Sequence, residues 1–223
     1  MNAKQLAAEK AVAYIQDGMV VGLGTGSTAY WAIHKIAERV HAGLHIRAVA
    51  SSEQSERLAL ELGIPIVPFS QIDEIDISID GADEVDTELN LIKGGGGALL
   101  REKVLAANSK QFIVIVDESK LVNKLGKFPL PVEIVPFAAN LTINKLTELA
   151  GEVNVRSVHG REFVTDNGNL IVDCYFQEIA NAKQLNQQLN LIPGVVDNGL
   201  FVGMVQQVIV GYADGTVTEM GVS

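Results

Sequence analysis

This sequence predicts an α/β fold: a Rossmann-like, mostly parallel sheet with helices on both faces, plus a smaller α+β domain. Three observations carry that reading. In the first half, continuous apolar runs of strand length alternate with helical patterns, and strands buried on both faces read in this way. At PLPVEIVPF, near residue 128, the rhythm breaks, with three prolines in nine residues, a composition typical of a passage between units. A stretch with a strong hairpin signal follows, before a last apolar run near the C-terminus.

Taken in order, residues 19–23 (MVVGL) read as a buried strand, followed by a glycine-rich turn and a helix over 27–40. Residues 46–50 are strand-like, and Ser51 and Ser52 can cap the helix SEQSERLALELG, which Gly63 stops. Residues 64–68, 75–79 and 111–116 are further strands, with a helix over 98–108 between the last two. Beyond 128 come a helix (138–150), a strand (153–157), and the runs REFVT and LIVDCYF around Asp166-Asn167-Gly168-Asn169, a hairpin turn. A helix over 179–191 and more strands complete the chain. The expected domains are 1–127 with 203–223, Rossmann-like and catalytic, and 128–202, smaller and α+β.

The chain has 223 residues, 48% hydrophobic and 20% charged, enough for a buried core and ordinary for a globular protein. Its net charge of −10 repels phosphate backbones and anionic lipid, so neither nucleic acid nor a membrane surface is an expected partner. A small anionic substrate needs only a local positive site. No apolar run approaches the roughly 18 residues of a membrane span. The N-terminal MNAKQLAAEKAVAYIQDG is a charged helix rather than a signal peptide. One cysteine, Cys174, excludes an internal disulfide and suits a reducing compartment. A soluble cytoplasmic protein is the expectation.

Four segments carry candidate chemistry. In Gly22-Leu23-Gly24-Thr25-Gly26-Ser27-Thr28, glycines allow a sharp turn and the helix start attracts an anion. Thr25, Ser27 and Thr28 add hydroxyls. Ser27 stands where a dinucleotide fingerprint wants glycine, and no Gly-Lys-Ser/Thr makes a P-loop. A monophosphate cradle fits better than a merely tight turn. Asp80-Gly81-Ala82-Asp83 follows a strand, where open sheets bind ligands; its two carboxylates can orient hydroxyls or exchange protons. A helix cap or a solvated acidic turn is the alternative.

Lys93-Gly94-Gly95-Gly96-Gly97 precedes Leu99-Leu100-Arg101-Glu102-Lys103. Four glycines in a row cost entropy and ask for a backbone reason, a close ligand or an anion nest. Lys93 supplies a cation at its mouth. A glutamate flanked by cations is ordinarily solvated; the glycines single Glu102 out by offering to bring a substrate carbon to it. Its flanking charges and the helix start would lower its pKa unless burial raises it again. Lys120, in Val116-Asp117-Glu118-Ser119-Lys120, is a further anion or hydroxyl contact, and Lys4 a weaker one. His34, His41, His45 and His159 give no metal set; Cys174 reads as a buried small residue, and Trp31 as helix packing.

GLGTGST, DGADEVD, KGGGGALLREK and VDESK, in this order and spacing, resemble the type A ribose-5-phosphate isomerases, and the resemblance runs the whole chain. It implies a sugar-phosphate site lined by Thr25, Gly26, Ser27, Thr28, Asp80, Gly81, Ala82, Asp83, Lys93, Gly94, Gly95, Gly96 and Lys120. It puts Glu102 on the family's catalytic base. It further implies no metal, no cofactor and a homodimer. The chemistry then runs through ring opening at Asp80, with Asp83 assisting, and an enediolate between C2 and C1 whose charge Lys93 and glycine amides meet. Two rivals are a non-catalytic sugar-phosphate sensor and a CoA-transferase-like enzyme with an acylated glutamate.

Overall fold

The computed structural model describes residues 2–221. They form α1 (Ala3–Val12), β1 (Val20–Leu23), α2 (Ala29–His41), β2 (Arg47–Ala50), α3 (Glu53–Glu61) and β3 (Ile75–Asp80). Next come β4 (Glu84–Val85), β5 (Leu91–Ile92), α4 (Leu99–Ala107), β6 (Ser109–Asp117), β7 (Leu130–Ile134) and α5 (Ala139–Ala150). Then follow β8 (Glu152–Val155), β9 (Ser157–Val158), β10 (Arg161–Glu162), β11 (Leu170–Tyr175) and α6 (Ala182–Asn190). Last are β12 (Val195–Asn198), β13 (Leu200–Phe201), β14 (Gln207–Gly211) and β15 (Val217–Gly221). The chain divides into two compact units. Of the described residues, the first takes 2–82, Arg101–Lys120 and 204–221; the second takes Asp83–Leu100 and Leu121–Gly203. Residues 83–100, grouped with the first domain in the sequence reading, thus cluster with the second unit.

In the first unit one six-stranded sheet runs β15-β14-β6-β3-β1-β2. Only β15 is antiparallel to its neighbour. The two faces are read off the alternation within each strand. Val21, Ala48, Ile77, Ile113 and Ile209 share a core with Ala7 and Ala11 of α1 and Ile33 and Ile36 of α2. Val20 and Val49, one residue out of step, meet Leu105 of α4. Helices therefore cover both faces, as the apolar runs require. Truncating one of these isoleucines to alanine costs about 2–5 kcal/mol.

The strand order fixes where a ligand can sit. β2 lies on one flank of β1 and β3 on the other, so the winding reverses between β1 and β3. The loops leaving their C-terminal ends part there and open a crevice. The Gly24 N–H donates to the Ile79 carbonyl at 3.0 Å, carrying the β1–β3 pairing right up to that crevice.

The second unit is α+β. A four-stranded antiparallel sheet, β12-β7-β11-β8, turns Leu130, Val132, Ile134, Val172 and Cys174 toward Leu146 of α5 and Leu185 and Leu189 of α6. Two small sheets, β13-β5-β4 and β10-β9, complete it.

Three local expectations change. Residues 64–68 are not a strand; Ile66 makes a single bridge to Ala48. Pro65 and Pro68 lack the N–H groups a longer ladder needs. PLPVEIVPF is not a passage, because β7 lies within it and is buried throughout. Its Pro131 is tolerated because a strand residue points N–H and C=O to the same side. The Pro131 carbonyl accepts from Gly199 at 2.7 Å, so the missing donor faces the place where β12 has ended. REFVT splits: Arg161–Glu162 pairs back with β9, across a turn in which His159 and Gly160 have φ of 52° and 75°. Only Val164 bridges Leu170. The predicted turn at Asp166-Asn167-Gly168-Asn169 does form, closed by Thr165 N–H to the Asn169 carbonyl at 2.9 Å.

Candidate active site

At the β1–β3 crevice, Asp80 and the first glycine turn are fitted to each other. Asp80 is 3% exposed, and its Oδ1 accepts from the Thr25 N–H at 3.0 Å and the Gly81 N–H at 2.7 Å. A Cβ on Gly24 would fall 2.2 Å from that oxygen, so glycine there makes room for the carboxylate. The Thr25 hydroxyl is turned inward, bonded to Ser51 Oγ at 2.7 Å and Ser52 Oγ at 2.9 Å. Ser55 closes the cluster onto the Gly24 carbonyl at 2.7 Å. Ser52 also caps α3, accepting from the Ser55 N–H.

The outer half of the turn faces solvent. Gly26 has φ of 100° with nothing within 4 Å of a would-be Cβ, and Gly26 and Ser27 are exposed. Ser27 Oγ accepts from Lys4 Nζ at 2.9 Å. Thr28 stands at the start of α2 without capping it through its side chain, and its Cβ lies 3.6 Å from a would-be Cβ on the buried Gly81. Ala82, next along, is half-buried. At the end of β6, burial works to raise the Asp117 pKa. Bonds from Ser119 and the charges of Lys4 and Lys120 outweigh it and hold the carboxyl below its ordinary range. Lys4 and Lys120 therefore both bear on the C-terminal end of this sheet.

Glu102 lies in the first turn of α4 and is 4% exposed. It is not the solvated helix glutamate that its flanking cations suggest.

In the second unit the four glycines form a tight turn, with Gly97 N–H to the Gly94 carbonyl at 3.0 Å. Asp83 Oδ2 accepts from the Gly95 N–H at 2.8 Å. A Cβ on Gly95 would sit 2.5 Å from Asp83 Oδ1, a close approach like that of Gly24 to Asp80. Lys93 is 2% exposed, and its Nζ stands 5.5 Å from the centre of the Phe201 ring, a cation–π distance.

Sequence reasoning missed the Ser51/Ser52/Ser55 cluster as support for the turn, having read only a cap there. It also missed Arg156, which reaches the glycine turn from β-structure far along the chain. Nothing in RSVHGRE marks it. Among the described residues no group of three or more His, Cys, Asp or Glu is arranged to hold a metal ion. His45 Nδ1 is 3.3 Å from Asp17. Cys174 is buried, and burial pushes its thiol up to about 12, which keeps it inert. Among the described residues no helix is long and apolar enough to cross a membrane.

The fold and its first glycine turn define an α/β protein whose strand ends at a topological switch present a carboxylate, hydroxyls and a glycine turn. The sequence pattern of ribose 5-phosphate isomerase A (phosphoriboisomerase A) matches residues 47–215. Ribose-5-phosphate isomerase A of Bacillus mycoides is 50% identical over 96% of this chain and 98% of its own. The Agrobacterium fabrum protein of that name is 48% identical over 96% and 97%. Among solved structures, ribose 5-phosphate isomerase A of Methanocaldococcus jannaschii superposes with a TM-score of 0.92 at 43% identity, covering 99% and 98% of the two chains. The Plasmodium falciparum enzyme gives 0.95 at 38%, over 99% and 98%. A D-ribose-5-phosphate isomerase in complex with phospho-erythronic acid gives 0.94 at 41%, over the whole of both chains. The chain belongs to the ribose 5-phosphate isomerase A family and is an isomerase.

Proposed function

We propose that this chain interconverts D-ribose 5-phosphate and D-ribulose 5-phosphate, in the non-oxidative branch of the pentose phosphate pathway, as a cytoplasmic homodimer without metal or cofactor. The observation that carries the reading is the burial of the two groups bracketing the glycine run, Lys93 and Glu102, at 2% and 4% exposure. A cation and a base, each withdrawn from water within its own unit and flanking in sequence a backbone that admits close approach, suit proton transfer at a carbon. The similarity to proteins of that name supports the substrate.

The steps follow from the residues. The phosphate binds at Gly26, Ser27 and Thr28, at the start of α2, with Lys4 and Lys120 adding charge. Held there, it positions the reacting carbons. Asp80 moves the proton that opens the ring, its carboxylate fixed by two amides, and Asp83 assists. Glu102 then takes the C2 proton and returns it to C1, while the O2 hydroxyl proton passes to O1 and leaves the carbonyl at C2. Lys93 meets the charge that grows on the enediolate oxygens. Because Gly95 N–H goes to Asp83 and Gly97 N–H to Gly94, the backbone donor role falls on the exposed Gly96 amide. Thr25, with its hydroxyl committed to serines, contributes shape more than a hydroxyl.

The test is direct: purified protein with ribose 5-phosphate and nothing else added. Ketose formation supports the proposal. A protein that binds the sugar phosphate without converting it acts as a sensor, and one that turns over only with an acyl-CoA is a transferase.

A further inference from the structure

The Arg156 guanidinium is engaged on two edges. Toward Asp173 on β11 it makes a two-pronged pair, with Nε to Oδ2 at 2.9 Å and Nη2 to Oδ1, the side chains 14% and 17% exposed. Such forked pairs fix the plane of the guanidinium as well as its place. On its other edge Nη1 donates to the Gly94 carbonyl at 2.8 Å and the Gly95 carbonyl at 3.2 Å. A cation held rigidly from behind thus caps two successive carbonyls of a glycine turn.

Peptide geometry gives this a consequence. In a trans peptide the C=O of one residue and the N–H of the next point in opposite directions. Pinning the Gly94 carbonyl aims the Gly95 N–H away from Arg156, where it meets Asp83. Pinning the Gly95 carbonyl aims the Gly96 N–H the same way. Four glycines have no side chains to resist a peptide flip; the Gly94–Gly95 peptide is also held by Gly97 and Asp83, so Arg156 matters most at the Gly95–Gly96 peptide. Phe163 adds steric support, since a Cβ on Gly97 would lie 2.3 Å from its ring. The same charge also polarises the two peptide units and strengthens their N–H groups as donors.

We infer that Arg156, held by Asp173, is a positioning residue that orients and polarises the Gly96 amide for the transition state and keeps the Gly95 amide on Asp83. This rests on the functional reading above, in which the Gly96 amide meets the enediolate charge. It predicts a particular pattern of loss: transition-state stabilisation falls while ground-state binding, anchored at the phosphate, stays.

The experiment compares full-length parent, Arg156→Met and Arg156→Lys proteins. It measures kcat, KM for ribose 5-phosphate, inhibition by phospho-erythronic acid, whose carboxylate imitates the enediolate, and amide hydrogen exchange across residues 93–98. Arg156→Met is expected to lose about 10–100-fold in kcat, the cost of a misplaced catalytic group, with KM within about threefold. Inhibitor affinity falls alongside kcat, and exchange across 93–98 quickens. Arg156→Lys keeps the charge near Asp173 but cannot span both carbonyls, and falls between. Should Arg156→Met fail to fold, Arg156→Lys carries the same readouts. A folded variant with kcat within twofold of the parent, a rise in KM alone, or unchanged exchange across 93–98 overturns the proposal. An inactive parent overturns the isomerase reading instead, and the exchange comparison still judges the clamp.

Discussion

Gly24 and Asp80 act as one unit: two backbone amides aim the carboxylate, and the missing Cβ gives it room. Gly24→Ala would put a Cβ 2.6 Å from the Asp80 Cα as well as against its carboxylate, so backbone must shift. The expected cost is about 1–3 kcal/mol in urea unfolding, together with a fall in turnover; a variant matching the parent in both would remove the fit between turn and carboxylate. Lys4 supplies a different effect, a charge at the solvent-facing half of the turn through Ser27. Lys4→Met is expected to raise KM for ribose 5-phosphate several-fold with kcat within about twofold, the signature of lost uniform binding. A loss confined to kcat would place Lys4 elsewhere in the reaction. These residues were legible because glycines, hydroxyls and acids at strand ends have a one-dimensional spacing. Arg156 was not, because its meeting with Gly94 depends on the pairing of β11 with β8 and on where the glycine turn packs, which no local pattern records.

At the scale of elements, α1 brings Lys4 to the sheet and is itself pinned to the edge strand β15. Glu219 pairs with Lys10 at 2.8 Å and accepts from Tyr14 Oη and from Gln207. The Lys10 bond, then the Tyr14 bond, hold the Glu219 carboxyl below its ordinary 4.5. Asp76, bonded to Lys110 and to the Val20 N–H, lies below its ordinary 3.8. Groups depressed in the folded state bind fewer protons there than in the unfolded chain, so their stabilisation is complete above the unfolded value and is lost as pH falls through the folded one. Stability should therefore decline as pH drops below about 4.5, and Glu219→Gln should flatten that decline; thermal melts from pH 6 to 3 that coincide for parent and variant would contradict it. The strands of the first unit were readable because burial on both faces makes them continuous apolar runs. Those of the second unit were harder: β7 hides behind prolines that are harmless only because of where β12 stops. The β9–β10 hairpin rests on a His159-Gly160 turn that resembles any loop.

For the whole molecule, the sequence foretold a parallel α/β sheet and a separate α+β unit, since the rhythm of each is a property of long stretches. The bounds of the units were not legible, because residues 83–100 join the second through pairing with distant strands such as β13. Sedimentation of the intact protein is expected to give a dimer, against which a monomer at assay concentration would stand. Under the proposed metal-independent reaction EDTA should leave turnover unchanged; activity lost to EDTA and restored by one divalent ion would contradict it.

In the proposed reaction Glu102 carries the proton between C2 and C1, and Glu102→Gln assayed in heavy water puts that role to the test. The variant is first shown by circular dichroism to be folded and by calorimetry to bind ribose 5-phosphate. An amide cannot accept the proton, so turnover and hydrogen exchange at C1 and C2 should both fall by about 10²–10⁴ or more, with substrate affinity nearly unchanged. A folded, substrate-binding Glu102→Gln protein that still turns over within about threefold of the parent lies outside the general-base range. It would move the base to Asp80 or Asp83.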